Sequence, residues 1–393
     1  MGKIKDIHKW FPLILLTIAG FTFNTSELMP IGLLSYIAND FNVTEAKAGL
    51  LITIYAWMVA ILSLPLTLYF ARTDFRKLML WIVGIFFVSH IGSVIAQGYW
   101  TLMASRIGVA CAHSVFWSIA PTMAVEVTPG KVRSTALSTM VAGGGIALVA
   151  GLPLGRVIGL LAGWRMSFAV LGVLAFLLFL GLRHTLPPLP QSDSDESRKD
   201  IMKDIISCRP LLMIYLITVV IVTGHYTGYS YVEPFMDQVV RMQPEAITFT
   251  LCIFGFAGLV GSFLMGKYFL RYPRTIITST CFALPVLLLF LYPAALLGTE
   301  AVIVVCILWG LAITVYNIAF QNGIIMFSPH NSAVAMSIYS GIFNLGIGLG
   351  AFVGGRVCEG GMIEYIGYVG GGIAICAAIY ALFRYIPRLK GKF

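Results

Sequence analysis

Four consecutive residues, Asn24-Thr25-Ser26-Glu27, interrupt an apolar run that extends from Trp10 to Phe41 and contains Pro30. A carboxylate near the middle of a membrane-length helix costs about 2.5 to 3.5 kcal/mol on insertion scales, so it faces a bundle interior and has a partner or a task. The task open to Glu27 is proton uptake and release; the bland alternative is an ion pair that only fixes packing. At about 1.5 Å of rise per residue, Asn24 and Glu27 fall within roughly 2 to 6 Å of the centre of this first span. On the same scale, His113 sits near the centre of another apolar run, with Arg106 about 9 Å toward its outer end. Arg106 therefore either reaches Glu27 for a charge-assisted bond or snorkels to the outer interface. The separation from Arg106 to His113 is almost two helical turns, which puts both on one face. An imidazole at that place suits proton transfer or hydrogen bonding to a solute. His90, without a similar companion in sequence, reads as a packing histidine.

The densest polar and aromatic set is Thr223-Gly-His225-Tyr226-Thr227-Gly-Tyr229-Ser230-Tyr231-Val-Glu233-Pro234. His225 and Tyr229 are one turn apart and share a face, whereas Tyr226 and Tyr231 also fit an interfacial aromatic belt. Glu233, at the end of its apolar run, reads as a solvated, loop-proximal acid at least as readily as a functional one. Further polar groups inside apolar runs are Tyr55, Trp57, Asn317, Gln321, Ser340 and Asn344. Asn317 and Gln321 are spaced i, i+4. Such residues either glue helices together, at about 0.6 kcal/mol each on average, or line a cavity. Neutral amides, hydroxyls and rings converging on a cavity suit an uncharged, polyhydroxylated solute better than a charged one.

The elements that must position these groups follow from composition. Of 393 residues, 59% are hydrophobic and 11% charged, far below the quarter or so of charged residues in soluble domains. Apolar runs fall near residues 11–35, 48–70, 78–96, 100–125, 134–161, 164–183, 210–232, 246–268, 275–296, 301–327, 333–357 and 362–386. Each is long enough to cross a bilayer, so the chain reads as an all-α membrane protein of twelve spans. The net charge of +9 calls for no nucleic-acid partner. Lys and Arg concentrate in alternate loops, among them Arg72, Arg76, Lys77, Lys131, Arg133, Arg198, Lys267, Lys390 and Lys392. The opposite loops hold only Lys47, Arg165 and Arg241. This bias places both termini in the cytoplasm. Seven scattered cysteines with no C-x-x-C spacing read as small apolar residues, not metal or redox ligands.

Residues 184–209, a Pro cluster followed by Ser and mixed charges, form a linker between two bundles of six spans, 1–183 and 210–393. The linker's tail from Arg198 reads as a short amphipathic helix on the membrane surface. A weak internal repeat agrees with this division. Thr128-Pro129, Ala136-Leu137-Ser138, a Gly-rich run and Gly155-Arg156 recur as Ser328-Pro329, Ala335-Met336-Ser337, a Gly-rich run and Gly355-Arg356, as in two-half transporters. Metalloprotease, nucleophile-elbow and Walker motifs are missing from the sequence. A membrane enzyme or a lipid scramblase is thus a remote alternative, and a proton gradient, not ATP, is the expected energy source.

The stretches Asn24-Thr-Ser-Glu27-Leu-Met-Pro30, Ile54-Tyr-Ala-Trp57, Ser105-Arg106-Ile-Gly-Val-Ala, Gly151-Leu-Pro-Leu-Gly155-Arg156, His225-Tyr-Thr-Gly-Tyr-Ser-Tyr-Val-Glu233-Pro and Ser340-Gly-Ile-Phe-Asn344 resemble the major facilitator superfamily. Within it they look like bacterial sugar-efflux transporters of the drug/proton antiporter branch. The superfamily's loop motif after the second span survives as Arg72-Thr-Asp74-Phe-Arg76-Lys77, without its glycines. The resemblance implies a monomer in the bacterial inner membrane, needing no cofactor or metal, that exports small sugars such as arabinose or galactoside analogues against protons. It implies proton coupling through Glu27, Arg106 and His113, and gating through Asp74, Arg76 and Arg156. Substrate contacts would come from Asn24, Tyr55, Trp57, His113, His225, Tyr229, Asn317, Gln321, Ser340 and Asn344. Multidrug or nucleoside efflux on the same scaffold is the alternative, because Trp57, Trp117 and Tyr229 serve flat apolar molecules as well as sugar faces.

Overall fold

The computed structural model describes residues 2–70, 73–131, 133–188, 198–269, 271–328 and 332–389. Arg72, Pro329, Lys390, Lys392 and the linker residues 189–197 lie outside the described residues. Among the described residues, eleven helices are long and apolar enough to cross a membrane, or twelve if a bent pair is one span. In chain order, spans 1 to 6 are Trp10–Asp40, Glu45–Ser63, Phe75–Val94, Tyr99–Val127, Ala142–Ala162 and Trp164–Thr185. Spans 7 to 12 are Arg209–Gln238, Pro244–Tyr268, Pro273–Leu289 with Leu291–Leu297, Thr299–Phe327, Val334–Glu359 and Ile363–Leu389. These ranges follow the apolar runs because a backbone inside lipid must satisfy its own N–H and C=O groups, and a helix does so residue by residue. Span 9 bends by 48° at its break. Pro293 lies just beyond, where it offers no N–H to the Leu289 carbonyl and its ring crowds that oxygen. A helix over Arg198–Ser207 forms where the linker's tail was expected to be helical.

Two compact units emerge, Met1–Leu33 with Met58–Asp193, and Leu34–Trp57 with Ser194–Phe393. In the first, span 1 is broken. An α-helix ends at Leu28, Met29–Leu33 is 3-10, and α-helix resumes at Leu34. The cause is Pro30, which cannot donate to the Ser26 carbonyl four residues back. Span 5 carries a π-turn over Ala147–Gly151 beside Pro153 and packs its glycine-rich side on span 1. A methyl on Gly155 would stand 2.6 Å from Met29 Cγ.

In the second unit, span 7 repeats the break. Its helix stops at Tyr229 and restarts at Val232, just ahead of Pro234. Span 11 packs on it through glycines: a methyl would lie 2.8 Å from Val222 Cβ at Gly346, and 2.5 Å from the Thr223 and Thr227 carbonyl oxygens at Gly350 and Gly354. Small residues at this spacing let backbones approach where no hydrophobic effect drives helices together.

Candidate functional site

The break in span 1 creates the first polar cluster. With Pro30 unable to donate, the Ser26 carbonyl needs another partner, and Arg106 Nη1 from span 4 donates to it at 3.0 Å. The same nitrogen lies 3.3 Å from Ser26 Oγ. Arg106 is 1% exposed, so it does not snorkel to the interface. His90 packs in the interior, as its sequence context implies, with both ring nitrogens satisfied. Its Nδ1–H donates to the Phe86 carbonyl at 2.8 Å, and its Nε2 faces Ser26 Oγ at 3.0 Å. A carbonyl only accepts, so the ring proton is on Nδ1, and in the neutral ring Nε2 accepts from the Ser26 hydroxyl.

One residue along, Glu27 Oε2 lies 3.7 Å from His113 Nε2, too long for a direct hydrogen bond but close for an ion pair. Arg106, bonded to the adjacent Ser26, brings a buried guanidinium to this cluster. Glu27 Oε1 is buried and has no hydrogen-bond partner. Phe23, stacked on Phe116 with ring centres 4.2 Å apart and tilted on Phe86 at 4.0 Å, forms an apolar floor, and His113 meets it edge-on at 5.9 Å. Asn24 is half-buried beside Gly144, where a methyl would stand 2.9 Å from its Nδ2. The cluster thus combines one acid, one guanidinium and two imidazoles, enough to accept a proton and redistribute charge.

Arg156 takes the role in span 5 that Arg106 takes in span 4. At 1% exposure it donates from Nη1 to the Gly32 carbonyl at 2.6 Å, inside the 3-10 segment. Asp74 caps the helix of span 3 by accepting from the Lys77 N–H at 3.0 Å. Arg76 Nη2 donates to the Arg183 carbonyl at the end of span 6, 2.8 Å away.

The second unit holds a neutral counterpart. His225 stacks on Tyr229 at 5.1 Å and 17°, and Tyr229 in turn stacks on Phe254 at 4.9 Å. Trp309, fully buried, donates from Nε1 to His225 Nδ1 at 2.9 Å. Deeper along span 10, Asn317 Oδ1 accepts from Gln321 Nε2 at 3.0 Å and from the Tyr339 hydroxyl at 2.9 Å. Asn344 Nδ2 donates to the Ser340 carbonyl at 3.0 Å, while its Oδ1 is buried with no hydrogen-bond partner. Tyr55 is 2% exposed. Trp57 packs its ring 5.9 Å from that of Phe352, and its buried Nε1 has no hydrogen-bond partner.

At the C-terminal end of span 7 three readings that the sequence leaves open are decided. Glu233 is 1% exposed, not solvated, and accepts from the Ser35 hydroxyl at 2.9 Å and the Ser35 N–H at 3.3 Å. Tyr226 and Tyr231 are 6% and 0% exposed, so neither is an interfacial belt residue. Tyr231 donates to the Ala351 carbonyl at 3.0 Å. Sequence reasoning named Ser26 only as part of the polar island and passed over Trp309. A tryptophan far from both ends of its span is a signal in itself, because a buried indole N–H needs an acceptor.

Residues 14–332 match the sequence profile of the Major Facilitator Superfamily. The chain belongs to this superfamily and is a transporter. Solved structures agree in fold. Nucleoside transporter NupG matches with a TM-score of 0.76 at 15% identity, covering 95% of this chain and 100% of that one. A bacterial homologue of the human lysosomal transporter Spinster matches in two inward-facing forms. The unoccupied form has a TM-score of 0.70 at 18% identity over 98% of this chain and 91% of that one. The occupied form has a TM-score of 0.73 at 17% identity over 97% and 96%.

Proposed function

We propose that this transporter exports small uncharged sugars, arabinose-like or galactoside-like, in exchange for protons by alternating access, with both termini in the cytoplasm. The observation that carries the reading is the division of chemistry. Glu27, with one carboxylate oxygen unbonded, sits among Arg106 and His113, while the second unit offers hydroxyls, amides and rings around His225 and Asn317. Protonation of Glu27 changes the charge of its cluster and biases one access state over the other. Asn24, Tyr55, Trp57, Tyr229, Gln321, Ser340 and Asn344 then supply contacts to the solute. Arg156, Asp74 and Arg76 hold span ends and breaks whose rearrangement would accompany gating.

Counterflow in proteoliposomes with a panel of labelled sugars, with and without a pH gradient, tests this. Saturable sugar counterflow and gradient-driven accumulation are expected; sugar transport indifferent to the gradient would remove the antiport. A nucleoside reading draws on the ring stack of His225, Tyr229 and Phe254, which suits a flat base. Uridine outcompeting arabinose in the same assay would favour it.

A further inference from the structure

The bond between Trp309 and His225 decides where the histidine keeps its proton. An indole N–H donates and never accepts. His225 Nδ1, which receives that hydrogen at 2.9 Å, therefore presents a lone pair, and the proton of the neutral ring is on Nε2. The ring cannot easily turn away. Tyr229 stacks on one face, and Tyr226 and Trp309 meet it edge-on at 4.7 Å and 5.3 Å.

We propose that Trp309 is a positioning residue that fixes His225 as a neutral Nε2–H donor to an acceptor oxygen of the transported solute. His225 then contributes to specificity and does not carry the coupled proton. The proposal rests on the reading of the chain as a proton-coupled exporter of neutral solutes.

The surroundings support the assignment. On span 7 the titratable neighbours are Tyr226 and Tyr229. Span 10 carries the buried Cys306, and span 8 stacks Phe254 on Tyr229. Span 11 approaches Tyr226 with Phe343. Spans 9 and 12 approach the neighbouring glycines of span 7 with Leu288 and Ala374. None of these is a carboxylate. A second proton at Nδ1 would set N–H against N–H, with no anion among these groups to offset the lost bond. His113 differs, since Glu27 stands 3.7 Å from its Nε2. His90 shows the opposite tautomer, with its proton on Nδ1 because a carbonyl accepts there.

The test uses the full chain in lipid nanodiscs with nitrogen-15-labelled histidine, the His225 signals being assigned by their loss in His225→Gln. The expected result is an unprotonated Nδ1 and a protonated Nε2 throughout about pH 5 to 8, the range in which histidines ordinarily change charge. In Trp309→Phe that signature should be lost. The KM for arabinose in counterflow should rise about three- to tenfold, as for one lost hydrogen bond, and should become pH-dependent. Wild-type His225 gaining a second proton in this range, or a Trp309→Phe variant with unchanged KM and unchanged pH profile, would overturn the proposal. The wild-type spectrum decides even if the variant fails to fold. If the wild type carries no sugar while the nitrogen signature is as expected, the sugar reading fails and the tautomer assignment stands.

Discussion

Spans 1 and 5 and spans 7 and 11 are built to one plan and filled with different chemistry. In both pairs a proline follows a break in the first helix, and a glycine-lined helix packs against it. In spans 1 and 5 the break is held by buried guanidinium groups, Arg106 on Ser26 and Arg156 on Gly32. In spans 7 and 11 a tyrosine hydroxyl, that of Tyr231, bonds the Ala351 carbonyl instead. Arg356, which matches Arg156 in the repeat, is 66% exposed and pairs with Glu359 at 2.7 Å. One scaffold thus hosts one cluster of ionisable groups and one of neutral rings, hydroxyls and amides.

The largest expected effect concerns the charged cluster. Glu27→Gln keeps the shape and removes the proton acceptor, so gradient-driven accumulation should fall to the level seen without a gradient, while sugar counterflow persists. Retention of full gradient-driven efflux by this variant would end the assignment of coupling to Glu27.

The arginine pair gives the next largest contrast. Arg156→Ala strips the donor from a buried carbonyl and should cost about 1 to 3 kcal/mol, read as a clear drop in thermal unfolding temperature in detergent. Arg356→Ala removes a surface pair of a kind worth about 0 to 1 kcal/mol and should barely move it. Equal shifts would mean that the two arginines are equivalent after all. The glycines sharpen the same contrast. A methyl at Gly350 meets backbone atoms of span 7, which cannot step aside, whereas at Gly155 it meets the flexible Met29 side chain. Gly350→Ala should therefore cost about 1 to 3 kcal/mol by overpacking, and Gly155→Ala noticeably less in the same melt.

The twelve spans were legible because lipid allows so few backbone solutions that length and hydropathy nearly determine them. Glu27 and Arg106 were legible for a related reason: an ionisable group so deep needs a cause. The partnerships were not. Ser26 meets His90 across 64 positions and Ser35 meets Glu233 across 198, and no periodicity carries such distances. Glu233 stands at the end of its own apolar run, and its burial, to which Ser35 of span 1 contributes, comes from other helices. Trp309 looked like one more apolar residue because hydropathy does not register an indole N–H in search of an acceptor. The broken helices were half legible, since Pro30 and Pro234 mark the breaks without naming the groups that take up the freed carbonyls.

The smallest expected effect tests the neutral cluster. In His225→Gln an amide N–H can still donate where Nε2–H did, but the stacking on Tyr229 and the fixed geometry from Trp309 are lost. The KM for arabinose should therefore rise about three- to tenfold, the range of a weakened hydrogen bond. The ratio of gradient-driven accumulation to counterflow should stay as in the wild type, because glutamine cannot bind a proton and none is assigned to His225. A collapse of that ratio like the one expected for Glu27→Gln would mean that protons also pass through the second unit. The contrast between a charged cluster and a neutral cluster would then describe composition and not mechanism.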